Sequence, residues 1–155
     1  MQETLHYIFN EGRVMLCRTD EGYAIYRGIE PPAFIQDALP HLFVETDEVV
    51  AYVSGTATEE LPEGYEWVGL RESYKLLPEP SYLQAGKASE ILYFDTHHRH
   101  CSLCGAPMRW NTAISKCCTA CGEEIWPLLS TAIIVLVHRG EEALLVKAKN
   151  FRRNE

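Results

Sequence analysis

No hydrophobic run in these 155 residues approaches the roughly 18 needed to cross a bilayer; the longest, Ala132 to Val137, has the length of a buried strand. Basic residues are also scarce. Fourteen Lys and Arg stand against 22 Asp and Glu, a formal charge of −8, so the chain as a whole does not attract phosphate backbone. With only 10 Gly and 8 Pro it is neither collagen-like nor of low complexity, and its 10% aromatic content is too high for a disordered chain. Met1 to Leu5 hold neither the basic nor the apolar part of a signal peptide. The expectation is a cytoplasmic protein without a membrane partner.

Cysteine is the exception to this sparseness, and its distribution argues against disulfides. A reducing cytosol disfavours them, and a disulfide framework spreads its bridges across the fold. Here Cys17 stands alone, while Cys101, Cys104, Cys117, Cys118 and Cys121 crowd into one short stretch. Cys101-Ser102-Leu103-Cys104-Gly105 and Cys118-Thr119-Ala120-Cys121-Gly122 are two C-x-x-C-G knuckles separated by the arm Gly105 to Cys117. Two intervening residues let one tight turn aim both thiolates at a single ion, about 2.3 Å from each sulfur in a zinc site. The arm is long enough for a β-hairpin that brings the knuckles face to face. A four-cysteine zinc ribbon through Cys101, Cys104, Cys118 and Cys121 fits best. A thiol–disulfide redox pair and a rubredoxin-type iron site are the alternatives. Only Cys118, not Cys117, keeps the x-x spacing to Cys121, so Cys117 and Cys17 read as ordinary thiols. Four thiolates around one dication leave a formal −2, which Arg99, Arg109 and Lys116 are near enough in sequence to offset. His97, His98 and His100 stand just before the first knuckle, where polar residues suit a helix C-terminus.

The fold class is α+β. Short β-prone runs occur at Leu5–Phe9, Val14–Cys17, Tyr23–Tyr26, Glu48–Val53 and Tyr65–Leu70, with a short helix expected over Ala33–Leu39. Pro78 to His97 has a helical pattern, with Leu83, Ala88, Ile91, Leu92 and Phe94 on its apolar face. Beyond the ribbon, Ala132–Val137 and Ala143–Ala148 are expected to form a strand pair around the turn His138–Glu142. The division is an N-terminal mixed-sheet domain over 1–80, a connector helix over 81–98, the ribbon over 99–127 and a further unit from 128 to 155. Nothing in the first 80 residues resembles a catalytic constellation.

The order of the helix, the paired knuckles, Trp126-Pro127 and the hairpin ending Leu144-Leu145-Val146 resembles the NAD(H) pyrophosphatase branch of the Nudix hydrolases. That resemblance spans about residues 67 to 155. It implies an N-terminal α+β domain, a structural zinc ribbon, and the first strands of a Nudix domain. It further implies cleavage of the NAD(H) pyrophosphate to nicotinamide mononucleotide and AMP, extending to NAD-capped RNA, in a homodimer. Trp126 occupies the position of a family aromatic that lines the base pocket; otherwise it packs the ribbon onto the following strand. One departure is decisive. The family's box G-x5-E-x7-R-E-x2-E-E-x-G is absent: Arg71-Glu72 is the sole Arg-Glu pair, and Ser73-Tyr74-Lys75-Leu76 follows it. That box supplies the carboxylates for Mg²⁺ or Mn²⁺, so no catalytic residue is assigned. The chain is expected to be an inactive N-terminal portion, acting as scaffold and dimerisation unit. The competing reading is a stand-alone zinc-ribbon module that binds protein or RNA.

Overall fold

Strand β1 (Thr4–Asn10) carries Tyr7, Ile8 and Phe9 in succession, and all three are buried. Neighbouring side chains of a strand point to opposite faces, so this run requires cover on both. The computed structural model describes residues 3–35, 41–43, 49–53, 60–128 and 130–145, and it supplies both covers.

Glu11 and Gly12, both at positive φ, turn β1 into β2 (Arg13–Thr19), with Asn10 opposite Arg13. The twist of such a two-residue turn matches that of the strands it joins. A seven-stranded sheet is completed by β3 (Gly22–Ala24), β4 (Tyr26–Gly28), β5 (His41–Phe43), β6 (Val49–Val53) and β7 (Tyr65–Gly69). β6 runs parallel along one edge of β1, and β7 antiparallel along one edge of β2. A strand has only two edges, so β2 and β4 must share the other edge of β1. Phe9 faces Val14 there, whereas Leu5 faces Arg27. The stretch from β3 to β4 thus wedges between β1 and β2 where these diverge, with Cys17 opposite Ala24 and His6 opposite Tyr26.

On one face of the sheet, Tyr7, Phe9, Val14 and Leu16 pack with Ala85, Ala88, Ile91 and Leu92 of α1 (Glu79–His97). On the other, Ile8 and Met15 pack with Ile35, against Phe34, Leu61, Tyr65 and Trp67. α1 therefore closes the core of the sheet as well as leading into the cysteines. Its buried positions include Ala85, while Leu83, expected on the apolar face, is 60% exposed. Residues two apart on a helix point nearly opposite ways, so only one of Leu83 and Ala85 can face the sheet; the small alanine lets the helix approach closely. A single 3-10 turn (Glu72–Lys75) precedes α1, pinned by Ser73 Oγ donating to Leu70 O at 2.7 Å. Of the short helix expected over Ala33–Leu39, Ala33 and Phe34 form a turn, with Ile35 N donating to Pro32 O at 2.8 Å. Residues 36–39 lie outside the described residues.

The ribbon is a second, three-stranded antiparallel sheet of β8 (Met108–Trp110), β9 (Lys116–Cys118) and β10 (Glu124–Ile125). Beyond it the expected hairpin forms only around its turn, as β11 (His138–Arg139) and β12 (Glu142–Ala143). Ala132–Val137 does not pair as a strand: Ile133 is 84% and Ile134 102% exposed. Among the described residues no strand lies beside it, and Val137 alone extends the hairpin, its O accepting from Leu144 N at 2.9 Å. Residues 146–148 of the expected partner lie outside the described residues.

Burial pushes the Tyr7 hydroxyl from 10 up to about 12, and the Cys17 thiol from 9 up to about 11. The unfolded chain would lose these protons at the ordinary values, while the folded chain keeps them. Stability should therefore hold below pH 9 and fall as pH rises from about 9 to about 12. Denaturant midpoints followed across that window should decline, and Tyr7→Phe should flatten the upper part of the decline.

Candidate metal centre

The two knuckles are built alike. In the first, Gly105 N donates to Cys101 O at 2.9 Å and Leu103 N to Cys101 Sγ at 3.4 Å. In the second, Ala120 N and Cys121 N each donate to Cys118 Sγ at 3.4 Å. Backbone N–H groups thus converge on sulfur before any ion is considered. The glycine that ends each knuckle has φ of +76° at Gly105 and +77° at Gly122. A side chain is strained in that region, which accounts for glycine at both positions.

The arm between the knuckles folds as the hairpin β8–β9, with Met108 opposite Cys118, Arg109 opposite Cys117 and Trp110 opposite Lys116. Its tip is held by Ser115, fully buried, whose hydroxyl donates to Glu124 Oε1 at 2.6 Å, beside Asn111 Nδ2 at 2.8 Å from the same oxygen. These donors hold the Glu124 carboxyl below the usual range, Ser115 first and Asn111 second.

This geometry brings Cys101, Cys104, Cys118 and Cys121 together, with all four sulfurs within 4.8 Å of one another. Cys101 Sγ lies 3.6 Å from Cys121 Sγ, and Cys104 Sγ 3.4 Å from Cys118 Sγ. A tetrahedron of sulfurs about 2.3 Å from a central ion has edges of about 3.8 Å, so the quartet is already close to the size of such a site. It could hold a metal ion. Backbone donors and sulfur crowding act on these thiols in opposite directions. The N–H groups of Cys121 and then Ala120 draw the Cys118 thiol down to about 6. At Cys121 the N–H of Glu123 also draws the thiol down, but the crowding sulfurs of Cys118, Cys104 and Cys101 outweigh it and push it up to about 12. Four thiolates cannot coexist at this spacing without positive charge among them.

Cys117 stands outside the quartet. Its thiol donates to Gly122 O at 3.5 Å and to Cys118 O at 3.6 Å. Cys17 is far off, in β2. Two of the three histidines are occupied at the helix end: His97 Nδ1 lies 2.8 Å from Tyr93 O, and His98 Nδ1 3.0 Å from Phe94 O. None of them joins the sulfur cluster.

Lys116 departs from expectation. Rather than facing the sulfurs, it is 3% exposed and pairs with Asp95 Oδ1 at 2.7 Å. Its ammonium also donates to His98 O at 2.8 Å and Asp95 O at 3.2 Å, carbonyls left free at the end of α1, and lies 5.4 Å from the centre of the Trp110 ring. Trp110 in turn meets Phe94 edge-on at 5.9 Å. The sequence signal for this contact is faint. Asp95 is the last acidic residue before Glu123, and Lys116 the only cation on β9. Arg99 and Arg109 remain exposed.

Trp126, just after β10, is 55% exposed. Beside it Pro127, Leu128 and Ser130 form a cleft of 460 Å³ with Ser89, Glu90, Tyr93, Phe94 and His98 of α1, and Trp126 is not among the lining residues. No helix of the described residues is long and apolar enough to cross a membrane.

The sequence model of one family, described as an NADH pyrophosphatase-like rudimentary NUDIX domain, matches residues 3–93. That span takes in the first sheet and most of α1 and stops short of the knuckles. Similar curated proteins include the NAD-capped RNA hydrolase NudC of Deinococcus radiodurans, 38% identical over 84 residues, which are 54% of this chain and 30% of that protein. The protein of the same name from Stutzerimonas stutzeri is 36% identical over 89 residues, 57% of this chain and 32% of its own length. The one from Pseudomonas fluorescens is 30% identical over 126 residues, 81% of this chain and 44% of its own length. The chain thus spans about a third to under half of these relatives.

The geometry separates the adjacent cysteines. Cys118→Ser should abolish tight binding of a thiophilic divalent ion, while Cys117→Ser should leave it intact, as read by cobalt titration followed through thiolate charge-transfer absorption. The reverse result would place the wrong cysteine in the quartet.

Proposed function

Since the chain belongs to the NADH pyrophosphatase-like family of rudimentary NUDIX domains, we propose that it is the non-catalytic, scaffold portion of a Nudix hydrolase. The substrate class is NAD(H)-type dinucleotides, cleaved at the pyrophosphate, with NAD-capped RNA as the nucleic-acid form. The observation that carries this reading is the match over residues 3–93, and the names of the curated relatives support its substrate class. Residues 1–80 act as an N-terminal domain, 81–98 as connector helix, 99–127 as ribbon, and 128–155 as the beginning of the catalytic unit.

In this reading Cys101, Cys104, Cys118 and Cys121 hold a structural Zn²⁺. An all-sulfur donor set of this size suits zinc better than the hard cations Mg²⁺ and Mn²⁺, which take oxygen ligands. Zinc there supplies folding energy and offsets half of the thiolate charge; it performs no chemistry on substrate. Mg²⁺ or Mn²⁺ belongs to carboxylates of the catalytic unit. Trp126, exposed and next to the α1 cleft, is the candidate for stacking on a base of the dinucleotide. The cytoplasm is the proposed compartment.

Three measurements test these points. Elemental analysis should return one zinc per chain; a metal-free, folded protein would overturn the zinc assignment. The 155-residue chain should release no AMP from NADH with excess Mn²⁺, because the glutamate-rich box is absent; AMP release by a clean preparation would overturn the scaffold reading. Homodimerisation is proposed through the apolar stretch that includes Ile133 and Ile134, whose exposure is large for side chains worth about 1.5–3 kcal/mol each on burial. Light scattering should give twice the chain mass, and a monomer at high concentration would remove that part of the proposal.

A further inference from the structure

The ribbon is tied to α1 twice. The first tie is covalent: α1 ends at His97, and Cys101 follows within four residues. The second is Lys116, which starts β9 two residues before Cys118 and is inserted into the open end of the helix. The two knuckles are therefore anchored separately to one helix terminus. The first knuckle is held through the chain from His98 to His100, and the second through the Lys116 ammonium on Asp95 and His98 O.

We infer that Lys116 is a positioning residue for the metal centre, and that metal occupancy and docking of the ribbon on the end of α1 are one coupled equilibrium. This rests on the reading of the four cysteines as a metal site. With an ion bound, Cys118 is fixed relative to Cys101, and β9 carries Lys116 onto the free carbonyls of the last helical turn. Without an ion the knuckles separate, and Lys116, almost wholly buried at 3% exposure, has water available in place of Asp95. By linkage the effect runs both ways: an anchored Lys116 raises metal affinity as much as bound metal protects the helix end. Trp110, between Lys116 and Phe94, is the packed contact through which the ribbon feels the helix.

Test the whole 155-residue chain by zinc competition against a chromophoric chelator, and by amide hydrogen exchange with and without zinc. In the wild-type chain, zinc removal should speed exchange in the last turn of α1, where His98 N donates to Phe94 O, while the amides around Ala85 and Ala88 stay protected. Lys116→Met keeps the length of the side chain without its charge. It should weaken zinc binding by about 10–100-fold, the usual cost of losing a group that orients metal ligands. Its last helical turn should exchange fast whether or not zinc is present. Lys116→Arg, which keeps a cation, should recover part of the affinity. If Lys116→Met does not fold, Asp95→Asn carries the same comparison and should show the same direction. Wild-type zinc affinity in either folded variant, with an unchanged zinc response of the helix end, would overturn the coupling while leaving the metal site standing. A wild-type chain that binds no zinc would overturn both.

Discussion

A buried lysine at the end of a helix is the constraint on which the second half of this structure depends. The last carbonyls of a helix have no partners within it, and the end carries partial negative charge. At Lys116 that deficit is met by an ammonium from another sheet, together with the Asp95 carboxylate. Such a buried pair gives little net stability against an apolar alternative, but removing one partner typically costs about 3–5 kcal/mol. In the observed placement of the ribbon the ammonium reaches both carbonyls, with Trp110 against Phe94.

That placement links two cores of different physical character. The first sheet is held by apolar burial on both faces, with α1 covering Tyr7, Phe9, Val14 and Leu16. The ribbon is too small for such a core. Its three strands are two or three residues long, and apart from Trp110, which packs on the first core, its inward groups are sulfurs, a hydroxyl and the Lys116 side chain. A module of that size needs a metal or a neighbour to stay folded. The sulfur quartet could hold the first, and the end of α1 is the second.

What could be read from the sequence follows the range of the forces involved. The knuckles were legible because C-x-x-C-G is a local geometric requirement: spacing aims the sulfurs and glycine takes the positive φ. The choice of Cys118 over Cys117 followed from spacing alone; the sulfurs that lie together are those of Cys101, Cys104, Cys118 and Cys121. The strands β1, β2 and β7 were legible as β-prone runs and the helix from its apolar spacing; the resemblance, drawn from about residues 67 to 155, led to the same family as the match over residues 3–93, although the two spans share only 67–93. Lys116 was not. Its proximity to four cysteines suggested charge compensation, whereas its partners lie about twenty residues back, on an element whose docking cannot be read from local pattern. Leu83 was misplaced for a related reason, since hydrophobicity favoured it over Ala85, while the close approach of helix to sheet favoured the smaller residue.

Ala132–Val137 carries the same lesson further. It is as apolar as the centre of β1, and by pattern the two are equivalent candidates for a central strand. β1 became one because β6 borders one edge, β2 and β4 divide the other, and both faces are covered. Ala132–Val137 has only the single bond from Leu144 N to Val137 O among the described residues, and the turn that follows it forms a ladder of two residues on each side. A two-stranded hairpin without a third strand or a covering helix is marginal in water. An apolar run therefore specifies a requirement for cover, and secondary structure follows only where the cover is supplied. The ribbon obeys the same rule in polar form. Lys116 belongs in the interior only because the carbonyls at the end of α1 and the Asp95 carboxylate are there to receive it.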